Sequence, residues 1–141
     1  MMFKSRLVAF VGALVLASSS YAMPEKPAAC PGMPALQSEG VTMSAELLEG
    51  IFVTYHLSHY NTPSNWVFIM GPIVADSDEA ALEESNKILS VLSGTATPEE
   101  DGQDGWVCLY DSGRQDFSVF AIQADDMVSP AKISRLLRKG H

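Results

Sequence analysis

The sequence predicts an α+β fold: a four-stranded, mainly antiparallel sheet made of two hairpins, a central helix packed on one face, and short helices at the two ends. Three observations carry this prediction. Residues 47–60 and 66–70 are rich in β-branched and aromatic side chains and flank a short polar loop, as do 106–110 and 117–124. Between these pairs, residues 76–92 repeat apolar side chains at helical spacing. The chain of 141 residues, 47% of them hydrophobic, has the length of one domain with a core of its own once an N-terminal segment is set aside.

That segment, residues 1–22, reads as a cleaved secretory signal peptide. Lys4 and Arg6 form a positive start, and residues 7–17 follow as an uncharged run too short to span a bilayer comfortably. Ser20 and Ala22 place small side chains where a signal peptidase requires them, so the mature chain is expected to begin at Met23. Residues 23–29, with Pro24 and Pro27, read as an extended leader. A single domain is expected over 30–126. It opens on the turn-rich Cys30-Pro31-Gly32-Met33-Pro34, followed by a short helical turn over 34–37 that ends at Gly40.

Residues 47–60 read as one strand, with Ile51, Val53, Tyr55 and Leu57 on one parity and Phe52, Thr54 and His56 on the other. A turn over 61–65 leads to the apolar run 66–70, which Gly71-Pro72 closes. In the helix over 76–92, Asp76 and Glu79 match the capping-box spacing. Leu82, Ser85, Ile88, Leu89 and Leu92 trace its inner face, and Gly94 stands as its stop. Residues 97–105 form an acidic loop. Trp106 to Tyr110 is a strand, and 117–124 returns from the turn at Asp111-Ser112-Gly113. Residues 127–141 read as a basic C-terminal helical tail with Pro130 in its first turn. There Ile133, Leu136 and Leu137 make an apolar stripe among Lys132, Arg135, Arg138 and Lys139.

Nine basic residues stand against seventeen acidic ones, for a net charge of −8. Two of the nine leave with the signal peptide and four lie in the tail, so the body is strongly acidic. Such a body repels phosphate backbones, which argues against nucleic acid, and none is expected as a partner. No later apolar run reaches transmembrane length, so no membrane span is expected in the mature protein, and its destination is the periplasm or the medium. Cys30 and Cys108 are the only cysteines, and in an exported chain such a pair forms a disulfide. Closing a loop of about eighty residues contributes about 4–5 kcal/mol in the chain-entropy model. A zinc site would need more ligands than two cysteines supply.

Catalytic signals are absent. There is no Gly-x-Ser-x-Gly elbow and no His-Glu-x-x-His helix, and an oxidised cysteine is no nucleophile, so the protein is expected not to be an enzyme. The acidic stretch 101–105 lacks the ligand spacing of a calcium loop. The most suggestive cluster is Tyr55-His56-Leu57-Ser58-His59-Tyr60, because histidine and tyrosine both ligate haem iron. Strand parity puts His56 and His59 on opposite faces, and they converge only if the chain breaks near Ser58, as a hairpin end permits. Trp66, Phe68, Trp106, Tyr110, Phe117 and Phe120 either line a pocket for a flat ligand or form the core.

Four stretches together resemble a known family: Cys30-Pro31 soon after the signal peptide, Trp66-Val67-Phe68-Ile69-Met70-Gly71, Glu79-Ala80 with Asn86 and Leu89, and Trp106-Val107-Cys108-Leu109-Tyr110. This is a family of small secreted bacterial proteins of otherwise unknown function that includes the haemin-binding protein of Legionella, and the resemblance spans residues 30–124. It implies haemin binding and supports the pairing of the two cysteines. Tyr60 looks like a family position, whereas His56 and His59 do not. The expectation is therefore an exported, non-enzymatic haem-binding protein. Its iron ligand would be Tyr60 or His59 at the first hairpin end, with His56 a further candidate, Tyr55 or Trp66 as an apolar wall, and Arg135 or Arg138 pairing with a haem carboxylate. The alternative is a disulfide-bonded module that binds another protein, without a cofactor, through its sheet face or loops.

Overall fold

Both predicted hairpins are present in the computed structural model, which describes residues 26–27, 29–100 and 105–124, and they join into one antiparallel sheet of six strands. The α+β class and the helix laid across one face are as expected; the sheet carries two more strands than the four expected. The expected signal peptide over 1–22, most of the expected leader and the expected tail over 127–141 lie outside the described residues. Among the described residues no helix is long and apolar enough to cross a membrane.

The first helix, α1 (Met33–Glu39), carries Pro34 in its first turn and ends at Gly40, whose N–H donates to the Leu36 carbonyl at 2.8 Å. Gly40 holds φ at 69°, a conformation glycine adopts without cost. The expected strand over 47–60 is two strands, β1 (Met43–Leu48) and β2 (Ile51–Ser58), folded back at Glu49-Gly50. Gly50 takes φ of 77° there, and its N–H donates to the Glu46 carboxylate at 3.0 Å. The turn is hidden in the sequence because apolar residues, Leu47, Leu48 and Ile51, run through it. β1 itself is an edge strand without a buried residue, so it lacks the apolar alternation that marks a strand.

β3 (Trp66–Val74) continues through Gly71-Pro72, where the expected strand stopped. The peptide bond between these two residues is cis. Their opposite number on β2 is Val53 alone, since Phe52 pairs with Ile73 and Thr54 with Met70. The pair thus forms a bulge, the position in a sheet where a residue without an N–H is tolerated. A Cβ on Gly71 would lie 3.0–3.2 Å from Val53 and the Phe52 backbone, so glycine is required. The extra residue also turns both Met70 and Ile73 toward the helices.

α2 (Asp78–Ser90) is capped by Ser77, whose hydroxyl accepts from the Ala80 N–H at 3.2 Å; the expected cap, Asp76, lies one residue outside. Asp78 and Glu79 occupy the first turn, where the helix dipole favours negative charge. Ala81, Ser85 and Leu89 are fully buried at four-residue spacing, and Leu82, Ile88 and Leu92 are half-buried beside them. The helix closes at Val91, ahead of Gly94. The last strands are β4 (Glu99–Glu100), β5 (Trp106–Tyr110) and β6 (Ser118–Gln123).

Strand order is β1-β2-β3-β6-β5-β4, so the pairing of β3 with β6 joins the two hairpins through their most apolar strands. Phe52, Trp66, Phe68, Met70 and Val119 pack with Leu36, Ala81 and Leu89 of the helices on one face. Val53, Val67, Ile69, Val107, Phe120 and Ile122 form a second buried cluster on the other face. Cys30 and Cys108 are bonded, with Cα atoms 5.9 Å apart, and fasten the entry segment to β5. Beside the bond, the Tyr110 hydroxyl donates to the Pro31 carbonyl at 2.6 Å.

Candidate functional site

Strand alternation decides what the end of β2 presents. Tyr55 sits with the second-face cluster, and His56 on the helix-covered side. Beyond Ser58 the strand breaks, and Tyr60 and Asn61 take φ of 49° and 60°. This left-handed pair folds the Tyr60 ring under the sheet, where it is buried edge-on to His56 at 6.2 Å and to Phe68 at 6.3 Å. Phe68 in turn meets Tyr110 at 6.2 Å.

A polar clamp surrounds these rings. His56 Nδ1 lies 2.8 Å from the Thr42 hydroxyl, and its Nε2 lies 3.3 Å from Glu39 Oε1. The Ser58 hydroxyl donates to Glu39 Oε2 at 2.8 Å and accepts from the Tyr60 N–H at 3.2 Å. The Tyr60 hydroxyl donates to the His56 carbonyl at 3.3 Å. Burial, reinforced by the charge of Glu39, pushes the Tyr60 hydroxyl well above the usual phenol range. Tyr110 is raised by burial first and by Tyr60 second. Tyr60 is therefore not presented at the surface: its ring is buried, and its hydroxyl donates to a backbone carbonyl.

His59 differs. It lies in the exposed turn, its carbonyl accepts from Thr62 N at 2.9 Å and Thr62 Oγ1 at 2.7 Å, and its imidazole makes no hydrogen bond among the described residues. Trp66 is fully buried, with its Nε1 donating to Thr62 Oγ1 at 2.9 Å, so it anchors the turn and offers no outer wall. The fold thus brings His56 and Tyr60 together, turns Tyr55 to the opposite face and leaves His59 at the surface. Arg135 and Arg138 lie outside the described residues. Of the aromatic set, Trp66, Phe68, Tyr110, Phe117 and Phe120 are core, and half-buried Trp106 carries Lys26 Nζ 5.6 Å above its ring. No group of three or more His, Cys, Asp or Glu that could hold a metal ion occurs among the described residues.

Sequence reasoning missed one concavity. A groove of about 520 Å³ runs between the end of β3, α2 and the loop before β6. Ile73, Ile88 and Phe117 supply apolar surface, and Arg114 lies at its lip with Glu84 and Asp116. The Arg114 guanidinium stands 5.8 Å over the Phe117 ring. No histidine, tyrosine, cysteine or methionine, the side chains that ligate haem iron, lines the groove. Nothing in the sequence foretold it, because its walls come from segments some forty residues apart.

These features define a disulfide-bonded α+β domain whose distinctive surface is the end of its first long hairpin. The chain belongs to the family of domains of unknown function DUF4949, whose model matches residues 29–136. No curated protein and no solved structure matches it.

Proposed function

We propose that this is an exported, non-enzymatic haem-binding protein that takes haemin at the outer end of the β2–β3 hairpin, with the His59 imidazole as iron ligand. The observation that carries the reading is the exposure of His59, with no hydrogen bond to its ring among the described residues, two residues after the 55% exposed Leu57. Imidazole is a haem ligand, and apolar surface beside it gains by covering the porphyrin. Tyr55, half-buried on the same face as Leu57, extends that surface. The resemblance to the secreted family that includes the haemin-binding protein of Legionella supports haemin as the bound molecule; the choice of His59 rests on its exposure alone. The disulfide and the signal-like residues 1–22 support export to the periplasm or medium. His56 is a weaker ligand candidate, since both its ring nitrogens are engaged, and Tyr60 serves as a turn anchor.

The test is a haemin titration of the chain beginning at Met23, followed by absorbance. A saturable shift is expected in the wild type and in Tyr60→Phe, and its loss in His59→Ala. An unchanged titration in His59→Ala, or no saturable shift at all, overturns the assignment.

The protein-interaction reading has an observation of its own. β1 is a sheet edge whose outer side is unpaired among the described residues, and Met43, Leu47 and the 68% exposed Leu48 project from it. Such an edge accepts a strand from a partner. This reading replaces the first if haemin does not bind.

A further inference from the structure

The groove between the end of β3, α2 and the loop before β6 lies far from the His59 turn. Ile73 stands seven residues along β3 from Trp66, about 23 Å at the usual rise, so the two occupy opposite ends of the sheet. The floor of the groove is apolar: Ile73 and Phe117 are buried, and Ile88 is half-buried. Ala75 and Ala80 keep it open, because their side chains stop at Cβ where longer ones would fill the space. Ala80, Glu84 and Ile88 recur at four-residue spacing, so one flank of α2 forms a whole wall. The facing wall is a loop held by its own hydrogen bonds. The Ser112 hydroxyl accepts from the Arg114 N–H at 3.1 Å and lies 2.8 Å and 2.6 Å from the carbonyls of Arg114 and Phe117. Asp111 accepts from the Gly113 N–H at 2.8 Å. A volume of about 520 Å³ between two such walls is that of a site for one small organic molecule.

Charge decides the class of molecule. Three carboxylates, Asp76, Glu84 and Asp116, line the groove against one guanidinium, that of Arg114, and all four residues are exposed. None of the three carboxylates joins an ion pair among the described residues. Arg114 does not neutralise them. Its guanidinium stands 5.8 Å over the Phe117 ring, whose face attracts a cation. An apolar floor therefore carries an excess of negative charge at its rim, and the chain's net charge of −8 adds to that field. The combination attracts a cation with an apolar body and repels the carboxylates of a haem.

We propose that the groove binds a small organic cation, a primary ammonium on an aliphatic or aromatic body. The body covers Ile73, Ile88 and Phe117, and the ammonium stays at the rim among the carboxylates. The site shares no residue with the hairpin end proposed for haemin, so either can fail without the other.

The experiment titrates the isotope-labelled chain beginning at Met23 and follows its amide signals by NMR. Phenethylammonium is the probe, and phenylpropionate, with a similar body and the opposite charge, is its counterpart. Saturable shifts are expected at Ile73, Ala80, Glu84 and Phe117 with the cation and none there with the anion. The apparent Kd for the cation should rise about threefold or more in Glu84→Gln with Asp116→Asn, and again between about 20 mM and about 300 mM salt. Ala80→Leu, which fills the groove, should weaken binding, while Glu83→Gln, exposed on the same helix and outside the groove, should leave it unchanged. If a variant does not fold, the comparison of the two probes on the wild type still decides. The proposal is overturned by the absence of saturable shifts at the groove, by an equal response there to the anion, or by shifts spread evenly over the acidic surface. Groove signals that move with protein concentration alone, as a second copy seated there would cause, also overturn it.

Discussion

At the scale of single residues, the end of β2 shows why side-chain chemistry in a sequence is not a site. Tyr60 and His59 are neighbours with similar prospects as iron ligands, and the left-handed pair at Tyr60-Asn61 separates them, one ring into the core and one residue into solvent. Nothing in the residue types announces that pair, because a tyrosine at positive φ is uncommon. Ser85 is the opposite case. Its place on the apolar face of the helix was legible, and the fold accounts for it with a buried hydrogen bond of 2.7 Å from the Thr54 hydroxyl. Asn86, one of the residues behind the family resemblance, accepts from Val41 N at 2.9 Å and donates to Val41 O at 3.0 Å, as a neighbouring strand would. The raised hydroxyls of Tyr60 and Tyr110 give a pH prediction. An unfolded tyrosine loses its proton near pH 10, below the pH at which these two do so when folded. The unfolded chain then holds fewer protons, so their contribution is intact below about pH 10 and is lost as pH rises further. Denaturant titrations at pH 8 and pH 11 should show lower stability at the higher pH, with a smaller drop in Tyr60→Phe; an equal drop would contradict the assignment.

At the scale of elements, legibility followed burial. α2 could be read closely because its buried and exposed positions recur at the helical period, and β5 because it is a short apolar run with no exposed residue. The cap was misplaced by one residue because Asp76 and Ser77 are both good caps, and Ser77 is the one held in extended backbone at φ −157°. β1 could not be read because no residue on it is buried, and the end of β3 was cut short because Pro72 argues against a strand wherever a bulge is not foreseen. The inner face of α2 yields a direct test. Leu89 has 1% exposure, and Leu89→Ala should cost about 2–5 kcal/mol in chemical denaturation. Glu84, outward on the same helix, should cost within about half a kcal/mol when changed to alanine. Equal costs would mean that the helix presents another face to the sheet.

At the scale of the whole molecule, the two hairpins were legible and their union was not. Local spacing shows which strands share a turn, but the pairing of β3 with β6 is fixed by long-range packing of the most apolar strand of each hairpin. The disulfide was legible, since a chain whose first residues read as a signal peptide and which has two cysteines has one pairing to make. Thiol labelling of the denatured, non-reduced protein should find no free sulfhydryl. Replacing both cysteines with serine should lower stability by up to about 4–5 kcal/mol, with two labelled thiols in wild-type material the contrary result.

The 78-residue separation of the two cysteines also sets an order of events. In a chain threaded across a membrane N-terminus first, Cys30 arrives long before its partner, with about 260 Å of extended polypeptide still to follow. On the export proposed above, its thiol would wait through that interval in an oxidising compartment with no cysteine of its own chain to meet. On that route fastening would come only after most of the polypeptide has crossed. A precursor held in a reducing cytosol would lack that fastening and be correspondingly easier to unravel for passage.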